Sequence, residues 1–180
     1  MKATILESAR LIYKPICMEH LSQDYVKWLN DPEVYQYMET HGNFTFEKLR
    51  HFLMEVENKD ILFWGVHLKD SLLHLGNIKI DPVNTYHGTA EYGIMMGRKS
   101  EWGKGYAKEA TQTIIDYCFS QTEIRKITLG VICNNISAVE LYKKIGFKTE
   151  GILRKQGLYN GEYCDALRMA IFNPNVHYDE

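Results

Sequence analysis

Long apolar runs are missing from this chain of 180 residues. No stretch reaches the roughly 18 consecutive apolar residues that a membrane helix requires, so no transmembrane helix is expected. The first seven residues contain no apolar core of the kind that a secretory signal peptide has. The net charge is only −2, which gives no overall electrostatic reason to expect a nucleic-acid partner. We therefore expect a cytoplasmic monomer or homodimer that acts on neither membranes nor nucleic acids.

Cysteine is scarce, and its spacing excludes the usual metal and disulfide motifs. The four cysteines, Cys17, Cys118, Cys133 and Cys164, form no C-x-x-C pair, and no histidine follows them at ligand spacing. The seven histidines are scattered along the sequence, and nothing resembles H-E-x-x-H. We predict four free, mostly buried thiols in a reducing compartment, and no metal site.

What the chain does contain is the composition of an ordinary globular protein. Apolar residues make up 45% and charged residues 24%, which are typical proportions. No repeat, low-complexity tract or Pro/Gly-rich linker divides the sequence. Its length suits one domain with a substantial core. We predict a single domain over residues 1–180.

The first half is predicted to begin with a strand at 10–16 and three helices. Apolar residues at helical spacing between Leu21 and Leu29 indicate the first helix, which should end at Asn30 because Pro32 follows closely. Asp31 can cap a second short helix that runs through Met38. Thr45 can cap a third helix, whose predicted apolar stripe is Phe46, Leu49, Leu53 and Val56.

The remaining elements alternate between strands and helices. Period-2 patterns predict strands at 62–68, 73–80 and 89–96 and a fifth at 127–133. Helical patterns predict helices at about 103–120 and 138–145, the second stopped by Gly146. Asn160-Gly161 predicts a hairpin turn between two final strands. The strand meander in the middle of the chain favours an α/β fold with a sheet of mixed direction.

A glycine turn follows the strand that ends at Gly97. In Glu101-Trp102-Gly103-Lys104-Gly105-Tyr106-Ala107, two glycines let the backbone approach a ligand closely. The predicted helix behind them offers unpaired N–H groups, which attract anions. The amides of residues 103–108 could therefore hold a phosphate. A tight loop that only caps a surface helix explains the pattern equally well.

A second motif runs from a strand end into a helix, from Cys133 to Phe147. Asn135 at its start can satisfy helix N–H groups or reach a ligand. Tyr142 falls on the apolar stripe of the helix. It could therefore be a core tyrosine whose hydroxyl is hydrogen-bonded, rather than a functional residue.

Together the two motifs resemble those of the GNAT superfamily of acyl-CoA N-acyltransferases. The second one matches N-x-x-A-x-x-L-Y-x-K-x-G-F at Asn135, Ala138, Leu141, Tyr142, Lys144, Gly146 and Phe147. Residues 90–94 and 102–110 are similar to the branch of ribosomal-protein N-terminal acetyltransferases. The resemblance implies a single-domain fold with a mixed, mostly antiparallel sheet of six or seven strands, a splayed central strand pair, and helices on both faces.

The resemblance also implies acetyl-CoA as co-substrate, bound where the strands ending at Met96 and Cys133 splay apart. The pantetheine arm would pair with the strand edge at Ile94, Met95 and Met96 and would contact Asn135 and Tyr142. The pyrophosphate would lie on the glycine turn. Its predicted contacts are Trp102, Gly103, Lys104, Gly105, Tyr106 and Ala107.

In the chemistry that the resemblance implies, an amine attacks the thioester directly. Tyr142 would protonate the leaving thiolate, and a backbone N–H near Met96 would stabilise the oxyanion. Amines have pKa values near 10, so a base or a water chain must remove a proton. Glu91 is the first candidate for the base. An equally weighted alternative is that Glu91 is only a solvated carboxylate on the face of its strand. His87 is the second candidate, and Arg154 and Tyr159 could also line the cleft.

The segment from Trp28 to His41 occupies the region that shapes the acceptor pocket in this family. Residues expected there are Trp28, Asn30, Met38 and His41, with Tyr92 from the fourth strand. We expect a small amine such as a nucleotide-linked amino sugar. The N-terminal amine of a protein, a polyamine or an antibiotic are alternatives. Two hypotheses of other classes are a non-catalytic acyl-CoA sensor and an unrelated nucleotide-binding α/β protein.

Overall fold

A computed structural model describes residues 1–40, 42–159 and 161–176. The described residues form eight strands, five α-helices and two single 3₁₀ turns, the turns at Met18–His20 and Lys99–Glu101. The strands are β1 (Leu6–Glu7), β2 (Leu11–Pro15), β3 (Leu62–Leu68), β4 (His74–Asn84), β5 (Thr89–Met96), β6 (Lys126–Ile132), β7 (Lys148–Tyr159) and β8 (Glu162–Phe172). The helices are α1 (Gln23–Asn30), α2 (Pro32–Tyr35), α3 (Phe46–Glu57), α4 (Tyr106–Gln121) and α5 (Ile136–Ile145).

Hydrogen bonds between neighbouring strands give the order β1-β2-β3-β4-β5-β6-β8-β7. The pair β5–β6 is parallel, whereas β1–β2, β2–β3, β6–β8 and β7–β8 are antiparallel. This confirms the predicted α/β fold with a mixed sheet. The predicted count of six or seven strands is below the eight described, and β1 was missed because it has two residues and is too short to show a period in the sequence.

Strands β5 and β6 pair over a short length. Their described register joins Thr89, Ala90 and Glu91 to Lys126, Ile127 and Thr128. These are the first three residues of strands that have eight and seven residues. Among the described residues, both strands therefore continue beyond the three residue pairs that join them, as expected for a splayed pair.

The chain divides into two compact units that are interleaved in the sequence. Unit 1 contains residues 1–79 and 94–110, and unit 2 contains residues 80–93 and 111–180. Strands β4 and β5 and helix α4 each contribute residues to both units. The expectation of a single domain stays a prediction.

The core of unit 1 is built by helices α1 and α3 with strand β3. Its buried members are Ile16, Tyr25, Trp28, Leu29, Leu49, Leu53, Val56, Phe63 and Met95. The predicted stripe of α3 is confirmed except at Phe46, which is exposed. Thr45 caps this helix as predicted, since its hydroxyl accepts a hydrogen bond from the Lys48 N–H at 3.2 Å.

In unit 2 alternating side chains of β6 and one face of α4 are buried. Ile127, Leu129 and Val131 alternate as predicted, and Ile114 and Cys118 of α4 are fully buried. Helix α5 ends at Gly146, which adopts a left-handed conformation with φ of +115°. Of the four cysteines, all free, Cys118 and Cys164 are buried and the other two are half-buried.

Several predicted boundaries differ from the structure by a few residues. Helix α1 begins at Gln23 with Ser22 as its cap, rather than near Leu21. Helix α2 has Asp31 as its cap, as predicted, but ends at Tyr35 and not at Met38. Strands β7 and β8 form the predicted hairpin, with Tyr159 opposite Glu162, while Asn160 of its turn lies outside the described residues. None of the described helices is long and apolar enough to cross a membrane.

Candidate functional site

The glycine turn of unit 1 has the backbone geometry that its sequence predicts. Gly103 and Gly105 have φ of +76° and +82°, a region that residues with a Cβ rarely enter. A Cβ at Gly103 would meet no atom within 4 Å, so the backbone there is open on that side. Helix α4 begins at Tyr106 rather than at Gly103, because these left-handed residues cannot belong to it. The open backbone stands directly before the N–H groups of the helix.

An arginine that the sequence analysis missed supports this turn. The Arg10 guanidinium donates to the carbonyl oxygen of Lys104 at 3.0 Å and lies 4.5 Å from the centre of the Tyr106 ring. Glu109 accepts hydrogen bonds from both the backbone and the side chain of Arg10, each at 2.7 Å. Burial alone would raise the pKa of Glu109, but these bonds and one from Ser8 hold it below its usual value. Glu109 therefore keeps its charge and fixes Arg10 beside the turn.

Two predicted phosphate contacts are held by partners within unit 1. The Lys104 ammonium lies 2.8 Å from a carboxylate oxygen of Glu101, which raises the pKa of Lys104. The indole N–H of Trp102 donates to the Met96 carbonyl oxygen at 2.8 Å. Lys104 is thus kept charged at the turn, and Trp102 joins the turn to the end of β5, where the pantetheine is expected. Their contacts with a cofactor stay predictions.

The residues expected to bind the acceptor have structural roles in unit 1. Trp28 is 6% exposed and packs over Gly97, at the end of β5. The Asn30 amide exchanges hydrogen bonds of 2.9 Å with the backbone N–H and C=O of Phe44. Met38 is half-buried against the core of this unit, and His41 lies outside the described residues. A role in binding the acceptor stays a prediction for all four.

Carboxylates of α1 and α2 already hold cations in the same region. The Lys99 ammonium lies 2.7 Å from an oxygen of Asp31 and also contacts Glu33. These two hydrogen bonds raise the pKa of Lys99, the bond to Asp31 contributing most. The Arg98 guanidinium lies 2.8 Å from Asp24. The carboxylates next to the predicted acceptor segment are thus paired with cations of the chain itself.

Tyr142 of unit 2 lies in a cluster of aromatic rings. Its ring centre is 5.8 Å from that of Tyr92 and 5.7 Å from that of Phe147, both in edge-on contact. Tyr142 is 7% exposed, and burial raises the pKa of its phenol to about 12. The phenol is therefore fully protonated at neutral pH and able to donate its proton.

Tyr92, predicted to contact the acceptor, supports this cluster from β5. Its hydroxyl lies 2.7 Å from that of Thr111, at the first position of α4 that belongs to unit 2. The side chain is 5% exposed. The structure thus shows Tyr92 as a packing partner of Tyr142, and its contact with an acceptor stays a prediction.

Asn135 caps helix α5. Its side-chain oxygen accepts from the Ala138 N–H at 3.3 Å and from the Ser137 hydroxyl at 3.2 Å. The oxygen side of the amide is thus used in the cap. A contact with the pantetheine arm, which stays a prediction, would use the amide nitrogen.

Glu91, the first candidate for the base, forms a two-pronged ion pair. Its two carboxylate oxygens each accept a hydrogen bond of 2.7 Å from the Arg168 guanidinium. Arg168 also donates to the Thr128 hydroxyl at 2.9 Å, and the bond to Glu91 raises the pKa of Arg168. These side chains line an open cavity of about 520 Å³ together with residues 82–86, Thr89 and Ala90. Arg168 was not found from the sequence, because it is 77 positions from Glu91.

His87, the second candidate for the base, and the two residues expected to line the cleft, Arg154 and Tyr159, all have contacts within unit 2, and their roles stay predictions. The His87 ring is 4.8 Å from the exposed ring of Tyr86. Arg154 donates to Asp165 at 2.6 Å, and Tyr159 packs over Gly157 of its own strand. These residues belong to surface loops and to the β7–β8 hairpin of unit 2.

Three histidines that are scattered in the sequence come together in unit 1. One ring nitrogen from each of His20, His67 and His74 lies within 4.8 Å of the others, a spacing at which a metal ion could be held. Burial lowers the pKa of all three, to about 4 for His67 and about 3 for His74. The sequence analysis did not find this group, because the fold of β3 and β4 joins segments that no spacing rule connects.

Comparison with known proteins identifies the family. Residues 10–148 match the family described as Acetyltransferase (GNAT) domain. The chain belongs to the GNAT acetyltransferase family. The matched range includes the glycine turn, Glu91, Asn135 and Tyr142, so all of the motifs that suggested the resemblance fall inside it.

Among curated proteins, the spermidine N(1)-acetyltransferase of Escherichia coli (strain K12) is 35% identical over 97 residues, which cover 54% of this chain and 52% of that protein. The enzyme of the same name from Vibrio cholerae is also 35% identical over 97 residues, which cover 54% of this chain and 56% of that protein. The chain spans about half the length of these curated relatives. The N-acetyltransferase YoaA of Bacillus subtilis, whose function is uncharacterised, is 27% identical over 94% of this chain and 97% of its own length.

Among solved structures, a spermidine N-acetyltransferase from Vibrio cholerae in complex with CoA and spermine superposes with a TM-score of 0.85. It is 24% identical, and the match covers 92% of this chain and 97% of that one. At this identity the likeness shows the fold, which confirms the GNAT fold expected from the motifs.

Proposed function

We propose that this chain transfers the acetyl group of acetyl-CoA to a primary amine of a small aliphatic polyamine. The family match over residues 10–148 supports the reaction type. The observation that carries the catalytic part is Tyr142, a buried phenol that stays protonated at neutral pH. The nucleotide-linked amino sugar expected from the sequence has no support among the relatives, two of which are named for spermidine.

The glycine turn of unit 1 is the proposed site of the cofactor pyrophosphate. Gly103 and Gly105 leave the backbone open before the N-terminus of α4, where amide N–H groups favour an anion. Lys104 and Arg10 place two cations at the same loop, paired with Glu101 and Glu109 respectively. A solved relative in complex with CoA has the same fold, which supports a CoA thioester as the ligand.

The reaction joins the amine nitrogen to the thioester carbonyl carbon and breaks the carbon–sulfur bond. The attacking nitrogen must be neutral, and it loses one proton after it forms the new bond. The leaving thiolate takes a proton from the Tyr142 hydroxyl, and solvent restores that proton. The net products are the N-acetylated amine and CoA with a free thiol.

The proton released by the amine goes to Glu91 or to water. Both oxygens of Glu91 already accept hydrogen bonds from Arg168. A proton bound to this carboxylate would therefore weaken or replace one of these hydrogen bonds. Water in the open cavity beside Glu91 is the alternative acceptor. We propose that water takes the proton and that Glu91 holds Arg168 in place.

A polyamine acceptor agrees with the charges next to the predicted acceptor segment. Asp31 and Glu33 hold the ammonium of Lys99, and Asp24 pairs with Arg98. To bind here, the additional ammonium groups that a polyamine carries and a simple monoamine lacks would exchange with Lys99 or Arg98 at these carboxylates. This would favour spermidine over a monoamine of similar length.

The test is release of free CoA thiol from acetyl-CoA with a panel of amines, with the product identified by mass spectrometry. The panel includes spermidine, spermine, a linear monoamine, an L-amino acid and a short peptide with a free N-terminus. We expect the highest kcat/KM with a polyamine. A preference for the peptide would replace this acceptor with a protein N-terminus, and acetyl-CoA binding without turnover of any amine would indicate a sensor.

A further inference from the structure

We propose that His20, His67 and His74 bind one divalent transition-metal ion, and that Zn²⁺ is the ion the site fits best. This proposal does not depend on the proposed acetyl transfer. It is a structural site within unit 1, where all three side chains belong to residues 1–79.

The three imidazoles come from three segments of the chain. His20 ends the 3₁₀ turn at Met18–His20, His67 lies on β3, and His74 begins β4. Ring centres are 5.2 Å apart for His20 and His67, 5.2 Å for His20 and His74, and 4.7 Å for His67 and His74. One nitrogen from each ring lies within 4.8 Å of the others, and the three nitrogens would move closer together to share one ion.

Each imidazole also has an oxygen partner at one nitrogen. His20 Nδ1 is 3.2 Å from the Cys17 carbonyl oxygen and also 3.2 Å from the Cys17 backbone nitrogen, whose N–H donates to it. His67 Nδ1 is 3.1 Å from the Gly65 carbonyl oxygen. His74 Nε2 is 3.0 Å from both the Gly76 carbonyl oxygen and Asn77 Oδ1. A histidine that binds metal through one nitrogen commonly donates its other N–H to such an oxygen, which fixes the ring.

The opposite nitrogen of His20 has no hydrogen-bond partner among the described residues. His20 Nε2 is buried, and the whole residue is 5% exposed. A buried polar atom without a partner is costly, and a metal ion would satisfy it. The His67 side chain also forms a hydrogen bond with the backbone of Ile12. A metal ion bound to the nitrogen that makes this bond would replace it.

A glycine makes room for this arrangement. A Cβ at Gly65 would lie 2.3 Å from His20 Nε2 and 2.9 Å from His67 Cε1. Any side chain at this position would therefore push the His20 ring out of the cluster. Gly65 leaves the face of β3 beneath the two rings open.

The donor set points to the class of ion. Three imidazoles with no carboxylate among them favour Zn²⁺, Ni²⁺ or Cu²⁺ and disfavour Mg²⁺ and Ca²⁺, which prefer oxygen ligands. Zn²⁺ accepts three histidines with water as a fourth ligand. Such an ion would join the 3₁₀ turn to β3 and β4 and would stabilise unit 1 against unfolding.

The experiment uses the full-length protein after removal of metal with a chelator. Zn²⁺ is titrated by calorimetry, and Co²⁺ is added as a spectroscopic substitute whose visible absorption reports nitrogen ligation. We expect one Zn²⁺ per chain, a rise of a few degrees in Tm at excess Zn²⁺, and a Co²⁺ absorption band. His20→Gln should remove stoichiometric binding and the band, whereas His51→Gln, which changes an exposed histidine of α3, should keep both.

His20→Gln could change the stability of the protein by itself. The Zn²⁺ stoichiometry and the Co²⁺ band still report metal binding in that case, because neither readout depends on Tm. His67→Gln provides a second variant from a different strand and should have the same effect. Wild-type protein that binds no stoichiometric Zn²⁺ and gives no Co²⁺ band would overturn the proposal. Equal binding by wild type and His20→Gln would overturn it as well.

Discussion

Tyr142 and Glu91 both belong to unit 2, and their surroundings differ in a way that separates their roles. Tyr142 is 7% exposed among aromatic rings, whereas the Glu91 side chain is 38% exposed and ion-paired. Burial keeps the phenol protonated, with a pKa of about 12. The carboxylate instead has both oxygens in bonds to Arg168.

The difference shows that a residue type in a motif does not by itself define a catalytic role. A general acid needs a proton at the working pH, which a tyrosine already has at neutral pH, and burial of Tyr142 extends that protonated range to more alkaline pH. A general base needs a lone pair directed at the substrate, and Arg168 competes for those of Glu91. The comparison supports the proposed acid role of Tyr142 and the proposed positioning role of Glu91.

Substitution of the acid should give the largest effect. Tyr142→Phe keeps the ring in its cluster and removes only the proton donor, so we expect kcat to fall by about 100-fold or more with little change in acetyl-CoA affinity. Steady-state thiol release gives kcat, and calorimetry gives the affinity. An unchanged kcat would remove Tyr142 from the chemistry.

Substitution of Glu91 should have a smaller effect. Glu91→Gln keeps the shape but weakens the ion pair, and we expect kcat to fall by less than about tenfold, below the factor of about 100 that a general base contributes. Arg168→Met serves as the matched variant, because it breaks the same pair and leaves the carboxylate. Similar kcat values for both variants support the positioning role. A loss of 100-fold or more in Glu91→Gln alone would assign the base to Glu91.

The hydroxyl of Tyr92 should contribute to stability and little to catalysis. Tyr92→Phe removes its hydrogen bond to Thr111 and should lower the free energy of unfolding by about 1 kcal/mol. The edge-on contact with Tyr142 is kept, so kcat should stay within about twofold of wild type by the same reasoning. Urea unfolding measures the first effect. A large drop in kcat without loss of stability would instead favour the predicted contact of Tyr92 with the acceptor.

The smallest expected effect is an absence of change at alkaline pH. The pKa of Tyr142 is raised to about 12, so its protonated form predominates below that value and is lost only as the pH rises through it. The kcat profile should therefore show no loss from this group between about pH 8 and 10, where an ordinary tyrosine begins to ionise. A fall in kcat near pH 10 that is missing in Tyr142→Phe would contradict the raised pKa.

Local signals explain how much of the structure could be predicted from the sequence. The caps Asp31 and Thr45, the helix stop at Gly146 and the turn glycines Gly103 and Gly105 all depend on the conformation of one short segment. Periodic patterns within a segment likewise predicted the long helices and strands. Each of these features is determined by residues a few positions apart.

Features that depend on distant pairing could not be predicted in the same way. Arg10 is 94 positions from Lys104 and 99 from Glu109, and Arg168 is 77 positions from Glu91. The histidine cluster joins a 3₁₀ turn and two strands. A spacing rule along the sequence cannot detect such groups, because the sheet register brings them together. For the same reason the sequence could not show that Trp28 packs over Gly97.

The most direct test of the proposed function is the rate of N-acetylspermidine formation from acetyl-CoA and spermidine, measured by mass spectrometry for wild type and Tyr142→Phe. We predict steady product formation by wild type and a rate at least about 100-fold lower for the variant, with acetyl-CoA binding retained by both. Acetyl-CoA binding by wild type without acetylation of spermidine or any other amine in the panel would contradict the account.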